Sequence, residues 1–129
     1  MVVSKIPLEA SYRKDNGIWV LHLDTVVLPA DFQIAEHSLV SVPPQTIAGN
    51  HRHKRAEAFI ATGKDLIFHW LDTKGRRHSD PMFVDGELML FVVPSDVPHA
   101  VENKSSHSPE ILYEFADNKE HIVERVSVV

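Results

Sequence analysis

Gly49-Asn50-His51-Arg52-His53-Lys54-Arg55-Ala56-Glu57 places three metal-competent side chains within seven residues. On a strand, side chains two apart share a face, so His51 and His53 converge while Arg52 points away. Glu57 follows His53 by four residues and keeps that face if the strand continues, or resumes after a kink, adding one hard anionic oxygen. Two imidazoles and a carboxylate with open positions suit Fe(II). With a further histidine the set also suits Zn, Mn, Ni or Co, because imidazole and carboxylate are borderline-to-hard donors. The expected cofactor is one divalent transition metal ion, its identity left open.

The fourth candidate ligand is His99, some forty residues downstream. It follows the turn signal Pro94-Ser95-Asp96-Val97-Pro98, which re-aims the chain just before it. An HxH pair standing alone beside Lys54 and Arg55 is also what a solvated strand looks like. Glu57 and the second segment tip the balance toward a site.

Short β-rich runs alternate with turn residues along the chain. Strands are predicted at residues 17–24, 32–34, 38–42, 56–61, 65–71, 86–93, 99–103, 110–115 and 121–128. No long stripe of 3.6-residue period interrupts them, which predicts a sandwich or barrel. Lys14-Asp-Asn-Gly17 and Thr62-Gly-Lys-Asp65 read as hairpin loops, and residues 73–81 as a polar exposed loop. The alternating terminus, residues 121–128, is an edge that needs cover, and a neighbouring subunit would supply it in a homodimer.

These residues carry a resemblance to the cupins. The first cupin motif, HxHxxxE with a glycine some six residues on, is matched by His51, His53, Glu57 and Gly63, and the second, PxGxxHxxxN, by Pro94, His99 and Asn103. Asp96 stands where the family has glycine, a turn position that aspartate tolerates better than most residues. The resemblance implies an all-β, cupin-type double-stranded β-helix (jelly-roll barrel), with its barrel core at about residues 40–117. It also implies a structural role for Asn103. The stretches around His51 and His99 are further similar to cupin domains of bacterial nucleotide-sugar enzymes, including the C-terminal cupin of capsular-polysaccharide ketosugar reductases. That similarity implies metal-assisted epimerisation or isomerisation of a keto-sugar. The same ligand set permits an Fe(II) dioxygenase of a small organic acid or phenol, and the fold permits a non-catalytic binding or sensor module.

Composition fits a single domain over residues 1–129: 43% hydrophobic, 24% charged, no cysteine and a formal net charge of −5. Nucleic acid is not an expected partner, since the basic residues Lys54, Arg55, Arg76 and Arg77 occur only in pairs. No apolar run has the length of a signal or a membrane helix, so a cytoplasmic protein with a small-molecule substrate or ligand and no membrane partner is expected. Without cysteine, a GxSxG elbow or paired carboxylates, chemistry must centre on the metal.

Two further residues are pocket candidates. Phe59 shares the parity of Glu57 and is read as a cavity wall, while His22 could face either the barrel interior or solvent. His69 is read as an exposed strand position, and His37, His78, His107 and His121 as solvated.

Overall fold

A computed structural model describes residues 2–84 and 87–129 of the chain. Its strands are β1 (Ser4–Leu8), β2 (Tyr12–Arg13), β3 (Trp19–Val20), β4 (Glu36–Val42), β5 (Thr46–His53), β6 (Glu57–Ala61), β7 (Leu66–Leu71), β8 (Arg77–Pro81), β9 (Phe83–Val84), β10 (Glu87–Val93), β11 (His99–Asn103), β12 (Glu110–Ala116) and β13 (Val123–Arg125). One sheet runs β1-β10-β6-β12-β4 with β9 beside β10; the other runs β13-β5-β11-β7-β8; β2 and β3 form a separate hairpin. The pairings within both large sheets are antiparallel, and the chain crosses from one sheet to the other at β4–β5, β5–β6, β6–β7, β10–β11, β11–β12 and β12–β13, as in a jelly roll. Among the described residues no helix is long and apolar enough to cross a membrane.

The first sheet is covered on both faces, which explains why β6 and β10 read as apolar runs and not as alternations. Its inner face gives Val42, Phe59, Ala61, Phe91, Val93 and Leu112 to the barrel core, against Leu66, Phe68 and Val101 from the second sheet. Its outer face carries Ala58, Ile60, Leu90, Val92 and Phe115, on which Trp19, Leu21, Leu23, Val26, Leu28 and Phe32 pack.

That covering layer is where the sequence reading needs correction. Residues 32–34 form no strand, and the predicted strand 17–24 shrinks to β3 followed by a 3₁₀ turn at Leu23–Thr25. Their apolar residues recur because they lie down on a sheet, not because they join a ladder. The loop predicted at 73–81 turns back at residue 75 and returns as β8, an exposed edge strand paired with β7. β1 was also unread. The start of the predicted strand at Gly86 lies outside the described residues; β10 follows it from Glu87.

The turns divide likewise. Lys14–Gly17 joins β2 to β3 with Gly17 at φ 93°. Thr62–Asp65 is no hairpin: it carries the chain from β6 in one sheet to β7 in the other. The terminal segment forms β13, which pairs with β5 of its own chain and is the edge strand of the second sheet.

Asn103 closes the end of β11. Fully buried, its Nδ2 donates to the carbonyls of Val42 and Ser108 and its Oδ1 accepts from the Ser105 amide, each at 2.9 Å. Asn103→Ala should cost about 2–3 kcal/mol, read as a fall in the urea midpoint, because two buried carbonyls and an amide lose their partner together. Asn103→Asp should fail likewise, since it removes the donor.

Candidate metal centre

The candidate ligands meet between the two sheets at one end of the barrel. His51 and His53 lie on β5, and His99 lies opposite His51 on β11. A bulge in that ladder falls between His99 and Ala100, facing Gly49. Gly49 has φ 99°, and a Cβ there would stand 2.9 Å from the His99 carbonyl oxygen, so a glycine is required for the two histidine strands to approach. Asp96 adopts φ 69° as anticipated, and its amide donates to the His53 carbonyl at 2.8 Å, tying the His99 turn to the end of β5.

After His53 the chain bends through residues 54–56 and enters the first sheet, where Glu57 begins β6. The shared face survives the bend. Glu57 Oε1 lies 2.8 Å from His53 Nε2 and 3.2 Å from His99 Nε2. The three histidines offer ring nitrogens within 4.8 Å of one another, with His53 and His99 buried and His51 half-buried. No direct contact joins Glu57 to His51, so three imidazoles form the coherent set and the carboxylate touches two of them.

Backbone carbonyls fix the tautomers. His53 Nδ1 lies 2.9 Å from the Arg55 carbonyl and His99 Nδ1 2.8 Å from that of Val97, and a carbonyl can only accept, so both Nδ1 atoms carry hydrogen. Both Nε2 atoms are then left to face the centre. His53 Nε2 is buried without a hydrogen-bond partner, its close approach to Glu57 lying off the line of an N–H bond. A buried imidazole nitrogen this close to a carboxylate oxygen calls for a cation that serves both, either a proton or a metal ion. Donors about 2.0–2.1 Å from a common ion sit about 3 Å apart, which matches both contacts of Glu57 Oε1. The residues therefore fit a divalent transition metal.

A feature absent from the sequence reading surrounds this set. Arg55, which entered that reading only as a basic neighbour of the HxH pair, is buried, and its guanidinium meets Glu57 Oε2 at 2.8 Å, Glu36 Oε1 at 3.1 Å and Glu114 Oε1 at 3.1 Å. Position 55 shares the parity of 51, 53 and 57, a signal that was available in the sequence.

Electrostatics follow from this packing. Burial, together with the neighbouring His99 and His53, pushes His51 down to about 4, so it is neutral and ready to ligate. Burial also works against a charged His53, yet the Glu57 carboxylate outweighs it and the net shift is upward. For Glu57, burial is outweighed by His53 and His99, which hold its carboxyl well below the usual range. Burial, and then the Glu57 charge, push Glu114 up to about 7 against the pull of Arg55.

A cavity of about 200 Å³ opens from the centre, walled by Val40, Phe59, Val101 and Leu112 with Glu114 and His121 among its polar groups. Phe59 thus stands where its parity predicts. His22 does not line it: it is exposed beside Tyr12, because the 3₁₀ turn after β3 carries it away from the barrel. His69 is a correction too. It is buried, with Nε2 donating to Glu102 at 2.9 Å and Nδ1 accepting from the Ser79 hydroxyl at 2.6 Å, because β8 covers it. His121 lines the cavity mouth while remaining largely exposed, its Nε2 3.1 Å from Glu36.

No family model matches the chain, and no curated protein does. Solved structures do. A dTDP sugar isomerase from Desulfovibrio desulfuricans G20 superposes with TM-score 0.75 at 17% identity, over 98% of this chain and 84% of that one. The sugar 3,4-ketoisomerase QdtA from Thermoanaerobacterium thermosaccharolyticum, in complex with TDP, gives 0.61 at 14% identity, over 92% and 82%. A cupin 2 domain-containing protein from Halorhodospira halophila gives 0.59 at 11% identity, over 97% and 82%. At these identities the likeness establishes the cupin-type jelly-roll fold.

Two outcomes are expected of this centre. Arg55→Met should destabilise the protein by about 3–5 kcal/mol, because three carboxylates lose their shared cation, and adding Glu114→Gln should restore part of it in a double-mutant cycle by thermal denaturation. Metal affinity should weaken as pH falls through the raised His53 value, since the proton there must leave, while His51 adds no competition until about pH 4; a pH series of metal titrations checks the sign.

Proposed function

We propose that the chain is a metal-dependent cupin enzyme that isomerises or epimerises a keto-sugar or a similar small oxygenated substrate. The observation that carries this is the convergence of three imidazoles and the Glu57 oxygen in an open, partly apolar cavity. The likeness to two sugar isomerases across more than nine-tenths of this chain supports the choice of reaction class.

His51, His53 and His99 would hold the ion, with Glu57 beside them. When bound, a divalent ion supplies Lewis-acid stabilisation of the negative charge that develops on a carbonyl oxygen. The protein supplies the rest. Val97 and Arg55 carbonyls hold two rings in one tautomer, and the Arg55 guanidinium fixes the Glu57 carboxylate by its second oxygen. Phe59, Leu112 and Val101 exclude water beside them. At about 200 Å³ the cavity is smaller than the roughly 300–1,000 Å³ typical of drug-sized ligands, so it suits one sugar ring, with any nucleotide remaining outside the mouth.

A second reading rests on the 2.8 Å contact between His53 and Glu57, an acid–base pair that could move protons with no metal at all. Elemental mass spectrometry separates the two. Protein purified anaerobically without chelator should carry one equivalent of a divalent transition metal, lost in His51→Ala/His53→Ala and kept in Arg52→Ala, whose side chain pairs with Glu124 outside the site. Metal content unchanged in the double variant would sink the ligand assignment. Metal-free wild type that still isomerises TDP-4-keto-6-deoxyglucose, the sugar bound in a QdtA complex, would favour the histidine pair, and iron with oxygen uptake the dioxygenase.

A further inference from the structure

Three carboxylates surround Arg55, and their oxygens are used differently. Glu57 sets Oε1 against His53 and His99 and Oε2 on Arg55. Glu36 sets Oε1 on Arg55 and Oε2 on His121. Glu114, on β12, meets Arg55 through Oε1 alone, and its Oε2 has no hydrogen-bond partner among the described residues. Its side chain lines the same cavity as the histidines and is only 13% exposed.

We propose that Glu114 is the catalytic residue that transfers the proton in the keto-sugar reaction, through its uncommitted Oε2. The inference rests on the isomerase reading. The oxygen takes the hydrogen from the carbon next to the carbonyl, and the C–H electron pair becomes the double bond of an enediolate as the carbonyl π pair moves onto oxygen. The neighbouring hydroxyl proton passes to that oxygen, and Glu114, its carboxyl proton having exchanged with solvent, delivers a proton to the former carbonyl carbon. The ketone has moved by one carbon, no electrons leave the substrate, and Glu114 ends ionised as it began.

Other candidates are already engaged. The His53 and His99 rings are anchored through Nδ1 and turn Nε2 to the ligand centre, His51 makes no hydrogen bond among the described residues but is the third ring of the proposed ligand set, and His121 stands at the exposed mouth against Glu36. The groups facing Glu114 are Arg55, Glu57, Glu36 and His53, and of the three carboxylates on Arg55 it alone keeps an oxygen without a partner among the described residues.

The test uses Glu114→Gln, which keeps an oxygen for Arg55 and removes the base, with TDP-4-keto-6-deoxyglucose in deuterated water. Wild type should isomerise the sugar and place deuterium on the product carbon. The variant should lose about 100-fold or more in kcat, with KM, metal content and melting temperature close to wild type, and Glu114→Asp should regain part of the rate. Wild-type turnover and deuterium incorporation in Glu114→Gln overturn the role of Glu114 and leave the isomerase standing. Neither turnover nor incorporation in wild type overturns both. An infrared difference spectrum needs no turnover: binding of the keto-sugar should perturb a carboxyl band in wild type that is missing from Glu114→Gln, and its persistence in the variant overturns the assignment.

Discussion

A single buried guanidinium holds the mouth of the barrel together. Arg55 bonds carboxylates from β4, β6 and β12, three neighbouring strands of the first sheet, at their shared end. One positive charge among three negative ones leaves the cluster two charges short if all are ionised. Proton affinity rises at His53 and Glu114 nearby, and at Arg55 itself. A divalent cation beside the histidines would offset the same deficit, so proton and metal occupancy answer one electrostatic demand.

The demand is created by topology. The histidines belong to the second sheet and Glu57, Arg55 and Glu114 to the first or its edge, so the centre forms only where the two layers meet. Gly49 lets β5 and β11 close at the bulge, and the turn at Asp96 brings His99 to its place. Each is a backbone condition imposed by the position of a ligand.

Much of this was legible in the sequence. The spacing of His51, His53 and Glu57, the turn before His99 and the apolar strands pointed to the histidine–carboxylate cluster and to a sandwich or barrel, because period-two alternation and turn chemistry are local properties, and the cupin resemblance narrowed the fold to a jelly roll. Arg55 escaped because its partners, Glu36 and Glu114, come from strands 19 residues before and 59 after, and only register brings them together. His69 escaped for the same reason, being buried by an edge strand that its own neighbourhood does not announce. The layer of residues 19–32 misled because burial on a sheet face and membership of a sheet leave similar composition.

From His51 to Phe59 the odd-numbered side chains all point to the cavity, and the alternation runs unbroken through the bend between the two sheets. Adding or deleting one residue within 54–56 would therefore turn either the histidines or the Glu57–Phe59 face away from it. Length variation among descendants of this chain has to fall elsewhere, and the turn at 72–76, which joins β7 to the exposed edge strand β8, is where an insertion would leave that alternation intact.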